Sequence, residues 1–359
     1  MIPTQPSQPS DSRALSFRSA LSRAGDVLFG SPLNLLLTLV SALAIWCIAG
    51  PLYGWGLRDA VWTGSAEDCR AASGACWAFI AEKTKFLMFG IYPQDERWRP
   101  ATATILMLML IAAGFFPMLW RRGRWLVWLA TTGLAVWLMI GGGALRLVPT
   151  EQIGGLPLTI MLVVLVLPLS MPLGLLLALG RMSRLPLYRW LSTGVIELFR
   201  CSPLLTTLFI ATVMVPFFVT EGVSVPKLLR ALLAYLIVCS VYVAEALRGG
   251  LQAVPDDQRD AARSLGFGPW QALVLVVLPQ AIRHALPGLL NNAVAFLKDT
   301  SLISLIGMTD FLGAIKLAGR DPAWIGFGVE GYVFAALTFF ILSSILNALA
   351  NHLAGRARS

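Results

Sequence analysis

Charge is scarce in this sequence, and so are the side chains that do covalent chemistry. Only 13% of its 359 residues are Asp, Glu, Lys or Arg, where a water-soluble domain carries about 25%. There are two histidines, His284 and His352, and five cysteines without the spacing of zinc ligands. No H-E-x-x-H or G-x-S-x-G run occurs, and no G-x-x-x-x-G-K-[ST] loop to cradle a nucleotide. Gly326, Gly328 and Gly331 do match G-x-G-x-x-G, but no strand precedes them, so the dinucleotide reading fails. An enzyme is poorly supported, and ATP, if it drives this protein, is hydrolysed by another chain.

What is abundant is apolar sequence. Hydrophobic residues make up 57% of the chain and its mean hydropathy is +0.73. Uncharged runs of about 20 residues are long enough, as helices, to cross a bilayer core about 30 Å thick. They fall near residues 31 to 50, 101 to 120, 125 to 147, 157 to 180, 201 to 220, 228 to 248, 286 to 306 and 332 to 353. The expected fold is an all-α, polytopic bundle of about eight spans. The net charge of +9 is dispersed in short clusters between these runs, which suits a membrane and gives nucleic acid no basic face to bind.

The basic clusters orient the spans, because positive loops stay on the cytoplasmic side. `RRGR` at 121 to 124 and `RMSRLPLYR` at 181 to 189 each hold three Arg and no acid. An even number of spans then places both termini in the cytoplasm: a polar, Pro/Ser-rich tail over 1 to 30 without the apolar core of a signal peptide, and a short tail at 355 to 359. Residues 51 to 100 balance acids against bases and read as an external loop. Cys69 and Cys76 lie in it, where an oxidising compartment permits a disulfide; two unpaired thiols is the other reading.

The most informative stretch is 251 to 305. After the span ending near Arg248 come the polar `QAVPDDQRD`, the helix-forming `AARSL`, Gly266 as a helix C-cap and Pro269 opening another helix. The expectation is two short helices at an angle; a solvated loop is the alternative. `DAARSLG`, followed after nine residues by Val276 and then by Leu278 and Pro279, resembles the EAA loop of ABC-importer permeases, with Asp260 in place of Glu and Val276 in place of Ile. The likeness covers about 200 residues, through `IELFRCSPLLTTLFIATVMVP`, `VAEALRGGLQAVP` and `LKDTSL`. It points to the polar amino-acid uptake branch of those permeases, and the layout is similar to the M-type subunit of the general L-amino-acid importer.

The resemblance implies a five-span permease core over 156 to 354, preceded by three additional spans over 31 to 155. It implies a coupling loop at 256 to 280 in which Asp260, Ala261, Ala262, Gly266, Leu278 and Pro279 meet a cytoplasmic ABC ATPase. It further implies a second homologous permease that is a different chain, an extracytoplasmic amino-acid-binding protein, an inner-membrane location, and ATP-Mg on the ATPase with no cofactor on this chain.

Glu197 with Arg200, and Glu245 with Arg248, sit at span ends and are gate candidates, with a structural ion pair or an interfacial anchor as the plain alternative. Asn291, Asn292, Lys298, Asp299 and Thr300 interrupt the seventh span. Ionisable groups inside a bilayer face a partner or a water-filled path, and Asp299 and Lys298 offer an acceptor and a donor to a zwitterion. Neighbours on a helix point about 100° apart, so the two need not share one ligand. A membrane scaffold and an ion-coupled secondary transporter are the rival functions.

Overall fold

The computed structural model describes residues 27–113, 124–218 and 225–358. Residues 1–26 of the expected N-terminal tail and most of the `RRGR` loop lie outside those residues. The chain divides into two compact units, 1–78 and 79–359.

In the first unit, helix α1 (Pro32–Tyr53) starts where Ser31 accepts the Asn34 amide and Pro32 supplies a preset φ, and it continues through a π-turn to Arg58. It is apolar all round and none of its residues is buried, as suits a lipid-facing helix. Helix α2 (Ala66–Ala71) is held by a reciprocal cap between Ser65 and Asp68, and the Ser65 amide and hydroxyl keep the Asp68 carboxyl below its usual range. Cys69 and Cys76 form a disulfide with their Cα atoms 5.5 Å apart. The Trp77 indole donates to the Gly56 carbonyl at 2.7 Å and lies between the Trp55 and Trp62 rings.

The second unit begins in helix α3 (Trp77–Phe89), followed by α4 (Trp98–Ala113) and α5 (Arg124–Ile140). Arg99 on α4 is fully buried. Its Nε donates to the Leu138 carbonyl and its Nη1 to the Arg146 carbonyl, while Tyr92 donates to Met139. A cation and a phenol thus satisfy carbonyls that the last turn of α5 leaves without helical partners. Lys83 on α3 pairs with Asp321 at 2.6 Å; the bond raises the Lys83 pKa and lowers that of Asp321.

The core is built on α6 (Gly155–Arg181), α9 (Lys227–Ala253) and the long helix α11 (Pro269–Ile306), with α9 packed between the other two. Small residues line the contacts: Gly174 and Ala178 on α6, Ala244 and Gly250 on α9, Ala281 and Ala285 on α11. Lipid gives helices no hydrophobic reason to associate, so close backbone approach across such residues supplies the packing energy. Helices α7 (Pro186–Cys201) and α8 (Leu204–Phe209, prolonged to Phe218) meet at 104°. The turn falls at Ser202 and Pro203, where proline cannot continue a helix. Helix α10 (Asp256–Ser264) projects between α9 and α11, and α12 (Phe311–Ala318) and α13 (Gly328–Arg358) complete the unit.

Among the described residues a helical segment overlaps each expected apolar run, while 114–120 of the second run lie outside them. Among the described residues five helices are long and apolar enough to cross a membrane, and the bent α7–α8 pair would make a sixth, against the expected eight. The structure corrects three details. Residues 186–201 form an amphipathic helix, so the loop expected over 181 to 189 shrinks to 182–185. The second of the two short helices expected after Gly266 is the first part of α11, which runs unbroken for 38 residues. Helix α13 extends to Arg358, through the stretch expected as a tail.

Asp310 caps α12, accepting the Gly313 amide at 2.8 Å and the Leu312 amide at 3.3 Å. Burial pushes its carboxyl up to about 6, against the pull of those amides and of Lys316. The folded state therefore holds this proton where the unfolded chain has released it, and the contribution to stability falls as pH rises from about 4 through about 6. Asp310→Asn keeps the capping oxygen and removes the charge. In a thermal-unfolding series the wild type is expected to gain about 1 kcal/mol between pH 7 and pH 5 that Asp310→Asn does not, while Asp310→Ala falls about 1 kcal/mol below Asp310→Asn at either pH through the missing cap.

Candidate functional site

Three features of the second unit gather polar groups in an otherwise apolar bundle. The first is α10 and its junction with α11. Pro255 precedes the helix, Asp256 and Asp257 occupy its first turn, and Arg263 its last, each matching the helix dipole. The Gly266 amide donates to Arg263 O at 2.9 Å and the Phe267 amide to Ala262 O at 3.1 Å. That is the paired bonding of a Schellman cap, and it sets Gly266 at φ +84°. The cap reverses the chain so that Pro269 opens α11.

Among the sequence candidates, Ala262 is buried and anchors α10, along with Ala272 and Val277 of α11. Asp260 and Ala261 are exposed, Leu278 is half-buried and Pro279 exposed. Gln280 donates to Gln258 across the junction at 3.3 Å. Leu265 and Trp270 project into the surroundings, 78% and 67% exposed. Sequence reasoning passed over these two; a large apolar residue on either side of a glycine cap, next to a charged short helix, was the available signal.

The second feature is an ion-pair cluster. Glu245 on α9 accepts Arg181 at 2.9 Å, Arg248 at 3.0 Å and Arg200 at 3.1 Å, and Arg181 also reaches Glu197 at 2.7 Å. Three helices are joined: α6 through Arg181, α7 through Glu197 and Arg200, and α9 through Glu245 and Arg248. The four sequence candidates do converge, but Glu197 and Arg200 are not each other's partners. The missing member is Arg181, which the sequence offered only as a loop arginine.

The third feature is a pair of cavities on α11. Asp299 and Asn292 line one of about 250 Å³ with Tyr235, Tyr242 and Cys239, between α9 and α11. Asn292 donates to the Tyr242 carbonyl at 3.2 Å and Tyr235 to the Asp299 carbonyl at 3.0 Å. Lys298 and Asn291 line the other, of about 590 Å³, facing Ser343, Asn347 and Asn351 on α13. The helical turn thus separates Lys298 from Asp299. Thr300 is fully buried, its hydroxyl donating to Leu297 O at 2.7 Å, so it closes its own helix and lines neither cavity.

Among the described residues no group of three or more His, Cys, Asp or Glu could hold a metal. The chemistry on offer is binding and charge pairing.

Residues 170–359 match the family model described as binding-protein-dependent transport system inner membrane component. Over 92% of its length the chain is 44% identical to the inner membrane amino-acid ABC transporter permease protein YhdY of Escherichia coli (strain K12), covering 90% of that protein. It is 32% identical to the glutamate/glutamine/aspartate/asparagine transport system permease protein BztC of Rhodobacter capsulatus, over 91% of each chain. In structure, 56% of the chain superposes on 92% of a chain from the crystal structure of an amino acid ABC transporter with histidines, with 31% identity and a TM-score of 0.51.

The chain belongs to the ABC-importer permease family of binding-protein-dependent transport systems. It is a multi-pass inner-membrane subunit that is not itself catalytic and binds no cofactor; a separate ATPase and a binding protein complete such a system.

Proposed function

We propose that this chain imports amino acids as one of two different permease subunits, in the manner of the M-type subunit of a general L-amino-acid importer. The amino-acid reading rests on the amino-acid transport named for its relatives and on the Asp299 cavity, where a carboxylate, a carboxamide and two phenols suit an ammonium group. The larger groove at Lys298 opens beside α13 and forms this subunit's share of the path. A second permease closes that path from the other side.

Both termini and α10 face the cytoplasm in this reading, as the arginines of the short loops require. Helix α10 then docks on the ATPase. Leu265 and Trp270 supply apolar anchors, and Asp256, Asp260 and Arg263 a charged rim, the usual division of labour at an interface. ATP binding draws the docked helix, and α11 with it, because Pro269 follows the cap directly. The Glu245 cluster ties the same end of the bundle together and opens as α6, α7 and α9 part.

One observation carries this account: a rigidly capped, otherwise exposed helix wired to the helix that lines both cavities. Its test is the cap. Gly266→Val places a β-branched side chain at positive φ, costing about 1–2 kcal/mol in backbone strain alone. Nothing lies within 4 Å of the position, so packing does not confuse the result. Gly266→Asn tolerates the same φ. Uptake in cells is expected to fall about tenfold for Gly266→Val, with the complex still assembled, and to stay near wild type for Gly266→Asn. Equal uptake by the two variants would reject the coupling role.

A further inference from the structure

The turn between α3 and α4 holds a pocket that the transport reading leaves unused. It encloses about 400 Å³ and is lined by Lys85 and Phe89 of α3, Gln94 of the turn, and Arg97, Trp98 and Ala101 at the start of α4. Two cations line it and no acid does. Of the neighbouring carboxylates, Glu96 is taken by Arg99 at 3.4 Å, and Asp95 is exposed and lines nothing here.

Among the described residues neither Lys85 nor Arg97 has an ion-pair partner, and the Arg97 Nε is buried without any hydrogen bond. Cations that line a cavity without a counter-charge are satisfied when an anion enters it. Helix α4 begins at Trp98, and the positive end of its dipole adds to the same potential.

The pocket also continues into an apolar stripe. Trp98, Ile105, Leu108 and Met109 recur at helical spacing along one side of α4 and are 54%, 52%, 37% and 62% exposed. A tryptophan beside two cations at the head of an exposed apolar stripe is the arrangement of a membrane–water interface.

We propose that this pocket binds the phosphate of an anionic membrane phospholipid, held by Arg97 and Lys85, with an acyl chain along the exposed side of α4. The lipid is anionic because the two cations have no protein counter-charge. It is a lipid rather than a free anion because the stripe needs apolar cover. Bound there, it would fix the turn that joins α3 to α4 at a defined depth in the bilayer.

The test is native mass spectrometry of the complete importer released from micelles that contain phosphatidylglycerol and phosphatidylcholine in equal amounts. Wild type, and a control with exposed Arg320→Gln, should retain phosphatidylglycerol about tenfold over phosphatidylcholine at one site per copy of this chain. Lys85→Gln with Arg97→Gln should lose that one site. Lys85 is exposed, so Lys85→Gln alone carries the test if the double variant does not assemble, with a drop of about threefold. An unchanged lipid count in these variants would overturn the proposal. So would displacement of the wild-type lipid by millimolar inorganic phosphate, which would assign the pocket to a free anion.

Discussion

Glu245→Gln is expected to cost about 2–4 kcal/mol of stability, seen as a thermal midpoint lowered by several degrees and a large loss of assembled importer. The magnitude follows from the geometry. One carboxylate accepts three guanidinium groups from three helices within 3.1 Å, and its side chain is only 16% exposed. The amide keeps the shape and removes the charge, which leaves three partly desolvated cations facing one another. Glu197→Gln is the internal comparison. Its carboxylate is 48% exposed and meets Arg181 alone, so its loss should stay within about 1 kcal/mol. Adding Arg181→Met to Glu245→Gln should recover part of the loss, because it removes one of the stranded cations. Equal, small effects at Glu197 and Glu245 would show that solvent screens the whole cluster.

Gly250→Val is expected to be comparably severe for a reason unrelated to charge. A Cβ at Gly250 would sit 2.2 Å from the Ala281 carbonyl oxygen, 2.8 Å from the Ala285 Cβ and 3.0 Å from the Ala285 amide. None of these atoms belongs to a flexible side chain, so α9 and α11 would have to part. Overpacking costs about 1–3 kcal/mol, and backbone in the way puts this case at the upper end. Since α9 and α11 enclose the Asp299 cavity, uptake should be lost together with stability. Gly249→Ala is the control: nothing lies within 4 Å of its Cβ position, and alanine improves helix propensity by about 0.8–1 kcal/mol. Thermal midpoints that move in opposite directions for the two glycines would support the close approach. Similar values would refute it.

The spans were readable because a bilayer demands long apolar runs, and because prolines and glycines punctuate them. The cap at Gly266 was readable for a local reason, since a glycine after a polar helical run has few other uses. The amphipathic helix α7 was not. Its Arg189, Glu197 and Arg200 make it too polar to stand out as a span, so its outline was lost in a basic loop.

The partnership of Arg181 with Glu245 spans 64 residues, and only tertiary folding brings the two together. Lys298 and Asp299 show the opposite case. Their divergence is dictated by 3.6 residues per turn, and the structure sends them to separate cavities. The exposure of Leu265 and Trp270 was beyond sequence alone, because an apolar residue shows itself as an anchor only when nothing in its own chain covers it.

The central claim, that this chain is the membrane path of an amino-acid importer driven through α10, is tested most directly by transport in proteoliposomes. They would contain this chain with its co-purifying ATPase and partner permease, with the binding protein on the external face. Uptake of a labelled L-amino-acid mixture should require ATP and disappear when this chain is omitted. With Gly266→Val, ATP hydrolysis should persist while uptake falls by about tenfold. An assembled complex that hydrolyses ATP yet moves no amino acid would contradict the account.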